Sequence, residues 1–558
     1  IYEPIQRWAV YENSLPKEAK FVGLNFSGLD CSYSSMRTPS YSTRGMVATS
    51  NVFAAQAGLD MLKKGGNAID AAIATAACLT VCEPTANGIG GDAFAIVSFD
   101  GQLYGLNASG PAPQGISIKG LHKRGFQEIP KYGFMPVNVP GAVAGWVALS
   151  RRFGRLPFDE VLAPAIGYAQ EGYPVSPLLG KGWQRACEVY YKNLKGEEFG
   201  SWFDTFAPHG RAPLPGEVVR LPDHAETLRL IAETEGEAFY RGPLAERIDS
   251  FSRQFGGYIC GEDLATYKVE WVQPLSTSYR GYEVWELPPN GQGMVALMAL
   301  NILQGFEFTE KDAVLTYHRQ IEAIKLAFED ATRYITDPLH MKVAVEELLS
   351  DGWAEEQRKR IGTKALQPLP TREQDGGTVY LATADSTGNM VSLIQSNYMG
   401  FGSGLVVPQT GIALHNRGHN FSIDPQHHNC LAPGKRPYHT IIPGFLTQNG
   451  KPLGPFGVMG GFMQPQGHVQ VVMNLIDFAH NPQAALDAPR WQWKQDKRVD
   501  VEDTLPPEVV EELVEQGHEV TVTAQNTGYG RGQIILRTDN QVYIGGTETR
   551  IDGTIATW

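Results

Sequence analysis

The stretch that most constrains this chain is Asp375-Gly376-Gly377-Thr378-Val379-Tyr380-Leu381-Ala382-Thr383-Ala384-Asp385. Two glycines precede a threonine that opens a β-type run, and Ser386-Thr387-Gly388-Asn389 closes the run with a turn. Valine, tyrosine, leucine and alanine suit a buried strand. The plainer reading is a strand that starts with a β-branched residue after a glycine turn. The other reading is chemical. If the chain is cut before Thr378, that residue carries a nucleophilic hydroxyl and its own base, the freed α-amine.

Only the rest of the chain can decide between these. Its 558 residues exceed one ordinary domain, so several packed layers or lobes are expected. A composition of 42% hydrophobic and 19% charged residues supplies a core. A net charge of −13 argues against nucleic acid and against an anionic membrane surface. No apolar run approaches the roughly 18 residues of a membrane span. Residues 1–45 lack the apolar core of a secretory signal, so a cytoplasmic location is the expectation, or a secreted or periplasmic one if a signal preceded Ile1. Six scattered cysteines (Cys31, Cys78, Cys82, Cys187, Cys260, Cys430) fit neither a zinc site nor a disulfide framework and read as mostly buried thiols.

Residues 1–44 read as an irregular extension rich in polar turns. Helical patterns follow from Val52 to Lys64, stopped by Gly65-Gly66, and from an Asn67 cap to about Val81. The glycine-rich run Asn87 to Phe94 lacks the Lys-Ser/Thr ending of a phosphate loop, and its glycines suit close backbone approach. The stretch Pro136 to Trp146 is expected to enter a helix ending near Gly154, and further helices are expected near 158–171, 223–234, 243–254, 294–303 and 318–335. A polar, proline-containing linker spans 366–377. Beyond it strands are expected at 378–384, 390–395, 404–408, 440–446, 519–523, 532–537 and 541–545, with a helix at about 467–479. A helix-rich part, 45–377, thus meets a strand-rich part, 378–558, at Thr378.

The order Gln395-Ser396-Asn397-Tyr398-Met399-Gly400-Phe401-Gly402, Gly411 to Asn416, Phe421-Ser422, Lys435-Arg436-Pro437 and Gly460-Gly461 resembles the γ-glutamyltranspeptidase family, including its cephalosporin acylase relatives. Earlier in the chain Gly65-Gly66-Asn67-Ala68, Gly88-Ile89-Gly90-Gly91 and Pro140-Gly141 match too, as does Arg550-x-Asp552-Gly553 at the end. The resemblance implies an α+β chain folded as the four-layer αββα sandwich of N-terminal-nucleophile hydrolases. It also implies self-cleavage between Gly377 and Thr378, with Thr378 as nucleophile and Ser396 hydrogen-bonded to it. The backbone N–H groups of Gly460 and Gly461 would form the oxyanion hole, each donor worth about 3–4 kcal/mol. No cofactor and no metal is implied. The implied partners are an acyl or γ-glutamyl amide, water or an amine as acceptor, the two fragments of one precursor, and a second precursor in a homodimer.

Departures from the family pattern fall on specificity. Ser109 stands where γ-glutamyl enzymes carry an arginine for the substrate carboxylate, and Asn420 stands where they carry an aspartate for the amino group. His439-Thr440 replaces a serine pair. Losing both charged partners removes salt-bridge recognition of a free glutamyl head. Ser109, Asn397, Tyr398, Asn420, His439 and Thr440 are therefore the candidate substrate contacts for an altered acyl specificity. A true γ-glutamyltranspeptidase acting on glutathione, and a non-catalytic relative that kept the fold, are the alternatives. The short segment Ile423–Gly434 in place of a longer lid predicts an open cleft. His415-x-x-x-His419 and His427-His428 lack metal-ligand spacing and read as solvated or locally bonded, and Cys430 as inert.

Overall fold

Two seven-stranded antiparallel sheets stacked face to face organise the computed structural model, which describes residues 37–368, 376–524 and 528–558. One sheet runs Thr554–Thr557, Gly45–Thr49, Gly377–Asp385 (β1), Met390–Tyr398 (β2), Asp92–Phe99, Gln102–Ala108 and Glu270–Val272. The other centres on Lys451–Met459 (β3), flanked by Arg531–Arg537 and Gly444–Gln448. Both sheets take strands from before and after Gly377, so a cut there leaves two fragments that share each sheet.

Three apolar layers follow from this stacking. Met46, Phe94, Ile96, Ile394, Phe445 and Ile535 fill the space between the sheets. Outside the first sheet lie helices Val52–Lys63 (α1) and Ala68–Cys82 (α2), and outside the second lie Val314–Tyr334 (α3) and Met463–Ile476 (α4). The sandwich is thus αββα, as the family resemblance implies. Every residue of α2 is buried, and alanines at 68, 71, 72, 74, 76 and 77 permit this close packing. Asn67 caps α2 as expected: its side chain accepts from Ile69 and Asp70 N–H groups while Asp70 takes the Asn67 N–H in return.

Several expected elements differ. Ser40–Ser42 already pairs with Tyr543–Thr547, inside the stretch read as irregular; residues 1–36, with Cys31, and linker residues 369–375 lie outside the described residues. No strand forms over 404–408, because Gly402 and Gly404 hold φ values of +81° and +78° that curl the chain. The strand expected at 440–446 runs instead over Gly444–Gln448. No described helix is long and apolar enough to cross a membrane.

The hairpin joining β1 and β2 is fastened to α2 by one carboxylate. Asp385 accepts from the Thr387 and Asn389 backbone N–H groups in the turn and from Ala68 N–H at the start of α2, at 3.0 Å. The last is one of the helix's first N–H groups, which have no partner within the helix. Asp385→Ala strands these donors and is expected to cost about 2–3 kcal/mol, measured as a lowered urea midpoint of the purified protein.

Candidate active site

At the start of β1 the pairing with β2 slips: Gly377 faces Tyr398, yet Val379 faces Gln395. Strand β2 therefore has one residue too many across this step, a bulge that re-aims local side chains. The irregularity brings Thr378 and Ser396 together. Thr378 Oγ1 lies 3.2 Å from Ser396 Oγ and 2.7 Å from the carbonyl oxygen of Gly377, and Ser396 Oγ lies 2.7 Å from that same oxygen. The Ser396 oxygen accepts from Tyr398 N–H at 2.8 Å and from Arg417 Nη2 at 3.3 Å. Those two donors fill its lone pairs, so its own proton points at the Gly377 carbonyl.

Gly460 and Gly461 follow β3 with φ values of +144° and +59°, a conformation suited to glycine. Gly461 lies directly against the chain before the cleavage point: a Cβ added to Gly376 would fall 2.8 Å from Gly461 Cα. Among the described residues no acceptor takes either glycine's N–H. Gln292 reinforces this wall, donating to the carbonyls of both Gly461 and Thr440. The open cleft expected from the short 423–434 segment is not present at Thr378, which is 1% exposed because the Gly376-Gly377 backbone lies over it, between Gly461 and Gly400.

The candidate substrate contacts divide into two groups. Tyr398, at φ +77°, donates its hydroxyl to Asn420 Oδ1 at 2.6 Å, and Asn420 Nδ2 donates to Tyr438 O. Thr440 Oγ1 accepts from Arg417 Nη1 at 2.7 Å. These three converge on the Ser396 side. Asn397, by contrast, turns toward the glycine loop, where its amide packs on the positions of Gly88 and Gly91 that a Cβ would occupy. Close approach is thus the use of these glycines. Ser109 is buried behind the site, bonded to Asn107 Oδ1 at 2.7 Å and to Asn290. His439 also faces inward, donating from Nε2 to Asp92 Oδ2 at 2.9 Å with its ring against Phe94.

Asp92 and Arg417 are functional candidates that sequence reasoning missed. Asp92 is fully buried and surrounded by His439, by His415 at 3.7 Å and by Arg417 Nε at 3.5 Å. Burial works to raise its carboxyl, but His415, His439 and Arg417 outweigh it and hold the group at about 2. Burial, partly offset by Asp92, lowers Arg417 to about 10, so the guanidinium stays charged near neutrality. Burial and then Arg417 push His439 down to about 3, so it is neutral there. The only sequence signal was an arginine beside histidine in His415-Asn416-Arg417 without a neighbouring acid.

Of the two readings of the other histidines, the locally bonded one fits His415 and His427, whose Nδ1 atoms accept from the backbone N–H groups of Arg417 and Asn429. His415 and His419 are buried rather than solvated, and His419 Nδ1 meets Ile129 O, while His428 Nε2 bonds Ile335 O. Among the described residues, His318, Glu322 and His518 could together approach a metal ion. The Lys325 ammonium already sits 2.7 Å from Glu322 Oε1, and the two imidazoles bond each other at 2.9 Å, so Glu322 and the facing ring nitrogens already have partners within the protein. Cys260 and Cys430 are only half-buried, unlike Cys78, Cys82 and Cys187.

The cluster around Asp92 sets an acid limit. His439 titrates near 6.5 when unfolded and at about 3 when folded, so below pH 6.5 the unfolded chain binds the proton preferentially and stability falls until about pH 3. Asp92 titrates near 3.8 unfolded and about 2 folded, so its contribution is lost as pH drops from about 4 to 2. His439→Gln, which can still donate to Asp92 but does not titrate, is expected to flatten the loss of thermal midpoint between pH 6.5 and 4. A midpoint profile identical to wild type would count against this origin.

Comparison with known proteins agrees with this geometry. Residues 54–558 match the family model described as Gamma-glutamyltranspeptidase. A solved cephalosporin acylase from Bacillus halodurans superposes with a TM-score of 0.92 at 59% identity, covering 96% of this chain and 99% of that one. The glutathione hydrolase-like YwrD proenzyme of Bacillus subtilis is 36% identical over 92% of this chain and 98% of its own length. The oxamate amidohydrolase proenzyme of Klebsiella pneumoniae is 35% identical over 93% of this chain and 100% of its own. The chain belongs to the γ-glutamyltranspeptidase family of N-terminal-nucleophile enzymes.

Proposed function

We propose that this chain is a precursor that cuts itself between Gly377 and Thr378 and then hydrolyses amides through an acyl-enzyme on Thr378, with an acyl specificity other than free γ-glutamyl. The observation that carries the reading is the convergence of the Thr378 and Ser396 hydroxyls on the Gly377 carbonyl oxygen. Thr378 Oγ attacks the Gly377 carbonyl carbon, an O–C bond forms, the C–N bond breaks and the nitrogen takes the proton. Ser396 donates to the developing oxyanion. Water then hydrolyses the ester, leaving a carboxylate on Gly377 and a free α-amine on Thr378. Gly376 and Gly377 leave space for this rearrangement, since a Cβ at Gly377 would meet Gly400 N at 3.0 Å.

In each later turnover the α-amine accepts the Thr378 hydroxyl proton and returns it to the leaving amine. The Gly460 and Gly461 N–H groups, without a described protein acceptor, are available to the substrate oxyanion. Water completes hydrolysis, and an amine acceptor in its place would complete transfer. Two similar proteins bear names that fit acyl amides, cephalosporin acylase and oxamate amidohydrolase. Ser109 and Asn420 carry no charge for a glutamyl head, which favours these over a glutathione hydrolase. The YwrD-like relative supports the glutathione reading as the second one to test.

Denaturing gels of purified wild type are expected to show two fragments, one ending at Gly377 and one beginning at Thr378, while Thr378→Ala stays whole. Ser396→Ala is expected to slow the split by about a hundredfold, the scale for removing one oxyanion donor. A wild type that stays whole after prolonged incubation argues for the inert relative. Processed enzyme that turns over γ-glutamyl anilide and ignores other acyl anilides would establish the glutathione reading instead.

A further inference from the structure

The corner that carries Gly460 and Gly461 is closed from behind by one imidazole. Strand β3 ends at Met459, the glycine pair follows, and α4 begins at Met463, where the Met463 and Gln464 N–H groups bond back to Gly460 O and Gly461 O. His468, in the second turn of α4, reaches back across this corner, and its Nε2 accepts from Val458 N–H at 3.1 Å. The neighbouring strand Gly444–Gln448 pairs with β3 only as far as Phe456, so the imidazole stands where a strand carbonyl would otherwise accept.

A backbone N–H can only donate, so Nε2 holds the lone pair and Nδ1 the proton. Nδ1–H donates to Glu286 Oε1 at 2.6 Å, from the end of the strand Tyr282–Glu286, and both side chains are fully buried. The Phe456 ring lies against the imidazole, with 5.0 Å between centroids. Packing at the corner is equally tight: a Cβ at Gly467 or at Gly530 would fall 2.6 Å from Val458 Cγ1. Glu286 Oε2 has no hydrogen-bond partner among the described residues. A buried carboxylate left half-bonded destabilises a fold, so packing alone does not account for this pair.

We propose that His468, aimed by Glu286, is the positioning residue of the oxyanion hole: it locks the end of β3 to α4 and thereby fixes the directions of the Gly460 and Gly461 N–H groups. The proposal rests on the amidohydrolase reading above and adds which residues hold its donors in place. Both side chains act through the backbone of β3 and α4, not on substrate. The glycines, at φ +144° and +59°, have no Cβ to restrain them, so the pair depends on what holds its two ends. The two stages of the chemistry differ in their need for this lock. Self-cleavage places its oxyanion on Gly377 and uses Ser396, which is held by Tyr398 N–H and Arg417. Later turnovers use the glycine donors, where a misplacement of about 1 Å costs about a hundredfold in rate.

The test follows two rates: appearance of the two fragments on denaturing gels, and turnover of whichever acyl anilide processed wild type cleaves fastest. His468→Phe with Glu286→Leu keeps the apolar volume, avoids an unpaired buried charge and removes the lock. It is expected to split at nearly the wild-type rate, yet to lose about a hundredfold in kcat with KM little changed. His468→Gln with Glu286→Leu, whose amide oxygen can accept from Val458 N–H, is expected to recover most of that kcat. Unchanged kcat in the phenylalanine variant overturns the proposal. So does a parallel fall of splitting, kcat and thermal midpoint, which marks a purely structural pair. Either result leaves the amidohydrolase reading intact, whereas processed wild type that cleaves no anilide overturns both. If the phenylalanine variant fails to fold, Glu286→Ala decides, since it leaves the imidazole in place but free to turn. A kcat about tenfold lower at wild-type splitting then supports the lock, and an unchanged kcat overturns it.

Discussion

The carboxylate of Asp92 holds the site together. It opens the strand Asp92–Phe99, beside β2, and from there it meets His415 and Arg417 from one loop and His439 from another. Removing a charge from such a cluster leaves its partners buried and unpaired, which costs far more than a surface ion pair contributes. Arg417 then reaches Ser396, and Ser396 reaches the Gly377 carbonyl. The alignment of the scissile bond therefore depends on a charge three contacts away in space and nearly three hundred residues away in sequence. Neutral His439 donates to Asp92 without adding charge, so one carboxylate and one guanidinium balance in a space closed to water.

The uncut chain and the processed enzyme ask different things of the same groups. Before the cut, the carbonyl oxygen that needs stabilising belongs to Gly377, and Ser396 already faces it. Gly461 is then occupied as a packing surface for Gly376. After the cut, departure of Gly376-Gly377 would uncover the glycine pair. Burial of Thr378 in the precursor is consistent with this sequence, since the segment that covers the nucleophile is also the first substrate it consumes.

Much of this was legible from local patterns, and the parts that were not share a cause. Asn67 and the alanine-rich run after it announce α2 because capping and helical periodicity act within a few residues. Strand β3 was unreadable: Pro452, Gly454, Pro455 and Gly457 all lower β propensity. Those glycines are required by neighbours that only the fold supplies, since a Cβ at Gly457 would strike the Tyr380 ring at 2.5 Å and one at Gly454 would strike Ile535 O at 2.0 Å. Gln102–Ala108 escaped for the same reason, with Gly105 pressed against Val272 and Leu287. At the site, Thr378, Ser396 and the glycine pair were visible as motif. The bulge that joins them, and the rotation of Asn397 away from them, were not.

Arg417 shows why reading specificity from missing residues has a limit. Ser109 and Asn420 carry no charge, and from them the expectation was an altered acyl specificity without salt-bridge recognition of a glutamyl head. Charge in a pocket is set by whatever reaches it, and here a guanidinium enters three residues before Asn420, on the short helical turn Arg417–Asn420. That turn points Arg417 at Ser396, while Asn420 is taken up by Tyr398 and Tyr438. The amide at 420 now braces the tyrosine beneath the cation. Asn420 therefore orients a neighbour in this structure, and the charge beside it comes from Arg417. Charge beside the nucleophile is thus decided by which segment the fold turns inward, and a motif read position by position does not register that.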